Sequence, residues 1–338
     1  MPTSDTIKHG FFIAGGELVP RQNPKFAEHV ILRNHAYVEY FIPSDNERAG
    51  PPIILTHNYF TGAAWLSNAD GNDGWAQFFA RAGFPVFVVD PPGTGRAGFN
   101  PEEIDHDAYV IEGAFPVDHG FWPGQDSSAW VAWTMGPEWG VSGDGITYGN
   151  QMPTDEAAQR RLLATLTPNK PVEQEVLDAT FAEVIREVHS RMGKPIFVGW
   201  SMAGGLGQRM VLRCPELMSA LVLLDGYSGE KRFPAPGDWF DNGPISAADQ
   251  VADTLTKGHI PLLSVNSATG HISNIGNAGK LNGTLVEKVT NLGGDATNWW
   301  LPDLGIQGNG HMMFFERNSD EVASVVLNWI NERFGGKS

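Results

Sequence analysis

Apolar residues fall in short unbroken runs separated by stretches in which they recur every three or four positions, and the two patterns alternate over most of the chain. The segments PPIILTH, FPVFVVD, PIFVGW, ALVLLD and IPLLSV read as strands buried on both faces. Trp75, Phe78, Phe79 and Ala82 share one face of a helix that Asn72 or Asp73 is placed to cap and Gly83 to end. Val172, Val176, Ala179, Val184, Val188 and Met192 trace a second helical face, closed by Gly193. Further helices are expected from Met202, from near Ala247 to Lys257, and from Asn318. In the last of these Glu321 is placed for a capping box, and Val322, Val325, Val326, Trp329 and Ile330 form the buried stripe. This alternation predicts an α/β fold with a mostly parallel central sheet flanked by helices. The opening differs: FFIAGG and AYVEYFIP have no helix between them and suit antiparallel strands at a sheet edge.

The rhythm breaks from about residue 105 to residue 170, in a stretch rich in Trp, Phe, Gly and Pro that includes GAFPVDHGFWPGQ, AWVAWTMGPEWG and SGDGITYGNQMP. A loop this long inside a compact domain is usually a lid or a binding loop, the alternative being a packed structural excursion. The expected organisation is a core of residues 1–104 and 171–338 with an aromatic-rich cap inserted at 105–170.

Composition narrows the field. A chain of 338 residues buries a large core, and 41% hydrophobic with 18% charged residues fits a folded globular protein. The formal charge of −16 repels nucleic acid and anionic membranes, so neither is expected as a partner. Cys214 stands alone, which removes an intramolecular disulfide and a thiolate zinc cage. The N-terminal residues do not read as a secretory signal, and no apolar run reaches the roughly 20 residues of a membrane span. A soluble, cytoplasmic protein is expected, and a homodimer stays open.

The sharpest chemical signal is KPIFVGWSMAGG, where an apolar strand runs into Ser201 and then directly into small residues and a helix. This is the layout of a nucleophile elbow, whose tightness demands small residues two before and two after the serine. Gly199 and Ala203 meet that demand, giving GxSxA. The alternative is a serine that merely caps a helix. A serine hydroxyl needs a base, and enzymes with such an elbow place the histidine late, after the last strand. His311, in the Gly-rich segment LGIQGNGHMMFFER, fits. The acid should lie between them. Its common place, after IPLLSV, is followed by NSATGHIS with no carboxylate, whereas Asp225 ends the preceding strand at the sheet edge where ligands bind. Asp225 is therefore favoured, with Glu230, Asp253 and Asp303 in reserve. The expected oxyanion donors are the backbone N–H groups of Met202, after the nucleophile, and Tyr59, in the loop THNYFTG. His57 reads as a brace for that loop or a second base, Asp90 as a turn residue, and PPGTG lacks the Lys-Ser/Thr of a phosphate loop.

These stretches, with THNYFTG, VVDPPGTGR, LLDGYSGE and LGIQGNGHMMFFERNSDEVASVVLNWI, resemble the α/β-hydrolase superfamily, and more narrowly a bacterial esterase type with its acid after strand six. The likeness runs through most of the core and is weak across residues 105–170. It implies an α/β-hydrolase fold and ester hydrolysis through Ser201, Asp225 and His311 without a cofactor or metal. That type carries Glu at the place of Asp225, and two adjacent cysteines where this chain has Tyr59 and Phe60, so the pocket is reshaped.

The reading that follows is cleavage of a carboxylic ester or lactone through an acyl-enzyme on Ser201. Phe60, Phe121, Trp122, Trp130 and Trp133, with Trp139 nearby, suggest an apolar or aromatic small-molecule substrate. The same residues also suit acyl transfer or an acid–base step such as cyclisation or C–C cleavage. A third reading is a non-catalytic ligand-binding module on this fold.

Overall fold

The computed structural model describes residues 7–21, 28–57, 60–100, 126–226, 248–271 and 283–335. Two long strands open it, β1 (Ile7–Pro20) and β2 (Val30–Pro43), paired antiparallel over nearly their whole length. Then come β3 (Ile53–Thr56), α1 (Trp75–Arg81), β4 (Val86–Asp90), the short α2 (Ser128–Ala132), α3 (Glu156–Thr165) and α4 (Gln174–Met192). The chain continues through β5 (Ile196–Trp200), α5 (Met202–Arg213), β6 (Ala220–Leu224), α6 (Ala248–Lys257) and β7 (Leu262–Asn266). It closes with α7 (Gly283–Asn291), β8 (Ala296–Trp300) and α8 (Ser319–Phe334).

The eight strands form one sheet in the order β1-β2-β4-β3-β5-β6-β7-β8. Only the β1/β2 and β2/β4 pairs are antiparallel. From β4 to β8 every pair is parallel. The central strands alternate their burial between two cores, as strands covered on both faces must. Ile53, Leu55, Val86, Val88, Ile196 and Val198 face one, with α1, α8 and residues 129–166. Ile54, Phe87, Val89, Phe197, Leu221 and Leu223 face the other, with α4, α5, α6 and α7. The mostly parallel sheet read from the sequence is the sheet observed.

Besides α2 and α3, which lie in the stretch read from the sequence as a long loop, two elements are not signalled by the apolar pattern. Strand β8 is built from ATNWW, whose five residues are all only half-buried, and α7 follows residues outside the described set. An edge strand with one wet face gives neither a solid apolar run nor a clean alternation. Neither expected side-chain cap forms. At α1 the cap position is Gly74; the Asn72 N–H donates to the Asn68 Oδ1 (2.9 Å), and Asp73 pairs with Arg81. At α8 the cap is Asn318 as expected, yet its side chain makes no cap hydrogen bond. It is taken by Asn309 instead, which bears on the site below.

The insertion expected at 105–170 is described only from residue 126 onward, so its division from the core is carried forward as a proposal. What is described is tied down. Asp155 caps α3 by accepting from the N–H groups of Ala157 and Ala158, and Trp130 is buried, its indole N–H donating to the Val141 carbonyl at 3.0 Å.

Candidate active site

Strand β5 delivers Ser201 into a turn that ordinary L-residues avoid: its φ is +54° and its ψ −122°. Such backbone strain persists only where the surroundings hold it. The Ser201 N–H donates to the Leu224 carbonyl (3.0 Å), and α5 starts at the next residue. Gly199 shows why the turn needs small neighbours. A Cβ there would lie 2.5 Å from the carbonyl oxygen of Ala203, and one at Gly226 would lie 3.3 Å from the Cα of Gly204. Gly199→Ala is therefore expected to cost about 3 kcal/mol or more, since the obstruction is backbone and cannot turn aside. Urea denaturation of the two proteins measures it.

The loop before α8 brings His311 to this turn. Its Nε2 lies 2.9 Å from the Ser201 Oγ, and its Nδ1 lies 3.1 Å from the Asp225 Oδ2. All three residues are buried, Ser201 being the most open at 9% exposure. Asp225 sits just past β6 with φ +42°. Its carboxylate is gripped from β7: the Ser267 N–H donates to Oδ1 (2.8 Å) and the Ser267 hydroxyl to Oδ2 (2.5 Å). The Ser267 Oγ in turn accepts from the Gly270 N–H (2.9 Å), so its one proton goes to Asp225. With the Asp225 Oδ2 an acceptor at Nδ1, the imidazole carries its proton there and presents a bare Nε2 to the serine.

The backbone of His311 is clamped as closely as its ring. Its N–H donates to the Trp133 carbonyl (2.9 Å), and its carbonyl accepts from the Trp200 indole N–H (2.7 Å). The Trp200 ring lies 4.7 Å from the imidazole, and His271 meets it edge-on at 5.5 Å. Burial, with the field of His311, lowers His271 to about 3, so this second imidazole is neutral at working pH. Beside Trp133, Thr134 holds φ +52°, rare for a β-branched residue; its hydroxyl meets the Thr269 hydroxyl (2.7 Å) and the Gly270 carbonyl.

On the other flank, His57 is wholly buried with its Nε2 2.9 Å from the Asp90 Oδ1. Its Nδ1 accepts weakly from the Phe60 N–H (3.4 Å), and the two rings stack at 4.3 Å. Asp90 also accepts from the Gly62 N–H and from Arg96, which reaches Glu39. Burial opposes ionisation of Asp90, but the hydrogen bond from His57 and the charge and hydrogen bond of Arg96 hold its carboxyl below the ordinary value. Asp90 thus ties the loop after β3 to β2 and is more than a turn residue.

Of the expected site residues, the structure brings together Ser201, Asp225 and His311, with Met202 opening α5 beside them, where first-turn N–H groups have no intrahelical acceptor. Phe60 is buried among His57, Trp133, Trp200 and Phe314, and Trp133 packs on Trp200 at 5.3 Å. Trp130 packs on Trp139 at 5.3 Å, both within the aromatic-rich stretch 105–170. Tyr59, Phe121, Trp122 and the reserve acid Glu230 lie outside the described residues. Asp253 pairs with Lys257, and Asp303 is exposed in a single 3-10 turn. Sequence reasoning did not single out Ser267, Trp200 or Glu316. For Glu316 a signal exists: an acid inside the apolar run HMMFF-E, four buried hydrophobics preceding it.

Sheet order, elbow and the placement of the late histidine define an α/β protein whose ligand site lies past the C-terminal ends of the parallel strands. A family model described as the alpha/beta hydrolase fold matches residues 51–246, and the chain belongs to that family. A curated relative, "Probable secreted lipase phiG" of Fungal sp. (strain ATCC 74256), is 27% identical over 333 residues, 88% of this chain and 86% of the relative. A bacterial esterase solved at atomic resolution superposes with a TM-score of 0.76 over 97% of this chain and 96% of its own, at 23% identity, a likeness of fold. Among the described residues no helix is long and apolar enough to cross a membrane, and no group of three or more His, Cys, Asp or Glu is placed to hold a metal.

Proposed function

We propose that the chain hydrolyses carboxylic esters or lactones through an acyl-enzyme on Ser201. The observation that carries this reading is the single line of contacts Ser201 Oγ–His311 Nε2 at 2.9 Å and His311 Nδ1–Asp225 Oδ2 at 3.1 Å, on an elbow with φ +54°. The name of the fungal relative, a lipase, supports an ester substrate.

In this mechanism the Ser201 oxygen attacks the substrate carbonyl while His311 Nε2 takes its proton. Asp225 keeps the imidazole in the required tautomer and stabilises the imidazolium. The oxyanion is held by the N–H of Met202 and, as expected from the sequence, that of Tyr59. Collapse releases the alcohol, which receives the proton from His311; water then attacks the acyl-enzyme with His311 again as base, freeing the acid and Ser201. His57 and Asp90 brace the loop that carries Tyr59, and His57 takes no proton from substrate. Phe60, Trp133 and Trp200 form an aromatic wall beside His311, which supports an apolar or aromatic substrate, with Trp130 stiffening the 105–170 cap behind it.

A panel of p-nitrophenyl esters of increasing acyl length, aryl esters and lactones tests this. Turnover of the apolar members to free acid is expected, with the acetyl ester slower. Release of the acyl group only to an added alcohol or amine would favour acyl transfer, and no turnover of any member would sink the hydrolytic reading. A cytoplasmic location and a homodimer are kept as parts of the proposal. Cell fractionation decides the first against the word "secreted" in the relative's name, and sedimentation velocity decides the second.

A further inference from the structure

Glu316 is fully buried, five residues past His311, and takes no part in the mechanism above. Its carboxyl group is the hub of the loop that carries the base. The Gly310 N–H donates to both of its oxygens (2.9 and 3.1 Å), and the Asn309 amide donates to Oε2 (2.9 Å). Asn309 cannot turn its amide over freely, because it is locked to Asn318 in a reciprocal pair at 2.7 and 3.1 Å. This is the bond that takes Asn318 away from capping α8. Asn309 also offers its carbonyl to the N–H and hydroxyl of Thr269, both at 3.2 Å. Every one of these contacts to Glu316 is a donor, and donors satisfy a carboxylate; a protonated carboxyl keeps one oxygen as an O–H that must find an acceptor.

We propose that Glu316 is a positioning residue for the base: its carboxylate gathers Asn309 and Gly310 into the turn that presents His311, and that turn loosens when the carboxylate takes up a proton. The inference rests on the hydrolytic reading for its activity readouts. Among the described residues the titratable groups that face Glu316 are few. Asp225, at the end of β6, adds a like charge. Arg317 is turned to Asp70 (3.4 Å) and half exposed, and Asp320 and Glu321 on the first turn of α8 are exposed. Residues 133–134 and 149–151, which pack on this loop, carry no titratable side chain. Burial dominates and pushes the Glu316 carboxyl up to about 8, against the pull of Asn309 and Gly310.

The sign of the linkage is fixed by that rise. An acid whose folded value stands above its ordinary 4.5 contributes stability that is full below about pH 4.5 and lost as pH climbs through about 8. Ionisation therefore tightens the site while costing the fold: the melting temperature falls between about pH 4.5 and 8 and levels off above, while activity rises through about 8.

The experiment follows kcat, KM, fluorophosphonate labelling of Ser201 and the thermal midpoint from pH 5.5 to 9.5 in wild type, Glu316→Gln and Asn309→Ala. Wild-type kcat and labelling rate are expected to rise through about pH 8, and the midpoint to fall up to that pH and level off above it. Glu316→Gln, whose NH2 group meets the Asn309 donor, is expected to lose about 10- to 100-fold in kcat at pH 9 with KM little changed. It should also lose the alkaline rise and flatten the thermal slope. Asn309→Ala removes one donor and should move the rise to higher pH. A merely structural Glu316 would lower the midpoint and leave the rise in place, which overturns the proposal, as does an Asn309→Ala midpoint of the rise identical to wild type. If Glu316→Gln does not fold, the Asn309→Ala shift decides. If the wild type takes no label at any pH, the hydrolytic reading fails, and a thermal slope unchanged in Glu316→Gln overturns this inference separately.

Discussion

Ser201→Ala is expected to abolish ester turnover, a fall on the order of 10⁶-fold in kcat, and to leave the fold unchanged. The hydroxyl lost is the one atom of the site that forms a bond to substrate in the proposed mechanism. Among the described residues nothing near it offers a replacement, because the neutral His271 approaches His311 at 5.5 Å and His57 is spent on Asp90 and the Phe60 N–H. Intact mass after fluorophosphonate treatment checks this directly: one adduct on wild type and none on the variant. Equal labelling of both proteins would place the reactive group elsewhere. An unlabelled wild type that also fails on the ester panel would move the ligand-binding reading to the front.

Asp225→Asn is expected to lower kcat by about 10⁴-fold with little change in KM. The substitution is nearly isosteric, so the loss arises from proton placement. The carboxylate now accepts from the Ser267 N–H, the Ser267 hydroxyl and His311 Nδ1. An asparagine that keeps its oxygen on the Ser267 N–H turns its NH2 toward the Ser267 oxygen and the His311 ring. His311 Nδ1 must then accept, its proton moves to Nε2, and the lone pair that takes the serine proton is gone. A pH–rate profile separates this from disorder, since a wrong tautomer lowers the whole curve and a loosened loop changes its shape. Retention of more than about a tenth of wild-type kcat would show that Asp225 is not the acid of the site, which is a loss of under 1.4 kcal/mol of barrier against the several expected.

Much of this molecule is written in short windows of its sequence. Strands β3 to β7 and helices α1, α4, α5 and α8 follow from apolar periodicity because each buries a continuous run or stripe against the sheet. Ser201 is legible because the elbow imposes its sizes locally, at Gly199 and Ala203, and His311 because a glycine-flanked loop before the last helix is a local pattern too. The edge strand β8 is not legible, having one wet face and no clean alternation.

Contacts between distant segments decide the rest. The acid is a case in point: the sequence offers ten carboxylates between Ser201 and His311, and although Asp225 is favoured by its place at a strand end, no local rule shows what grips it. The grip comes from Ser267, 42 residues away, at the strand end where the sequence shows no acid at all. Asn318 is another, since its type and position spell a helix cap, yet tertiary packing gives Asn309 the stronger claim on its side chain. Sequence by itself determined the layers, the sheet's direction and the elbow at Ser201, whose turn is built by its own neighbours in the chain, and it pointed to His311 by chain order. Only the tertiary structure decided which acid meets the histidine, what holds its loop and which aromatic rings wall it, because hydrogen bonds and buried charge depend on partners that the fold alone brings within reach.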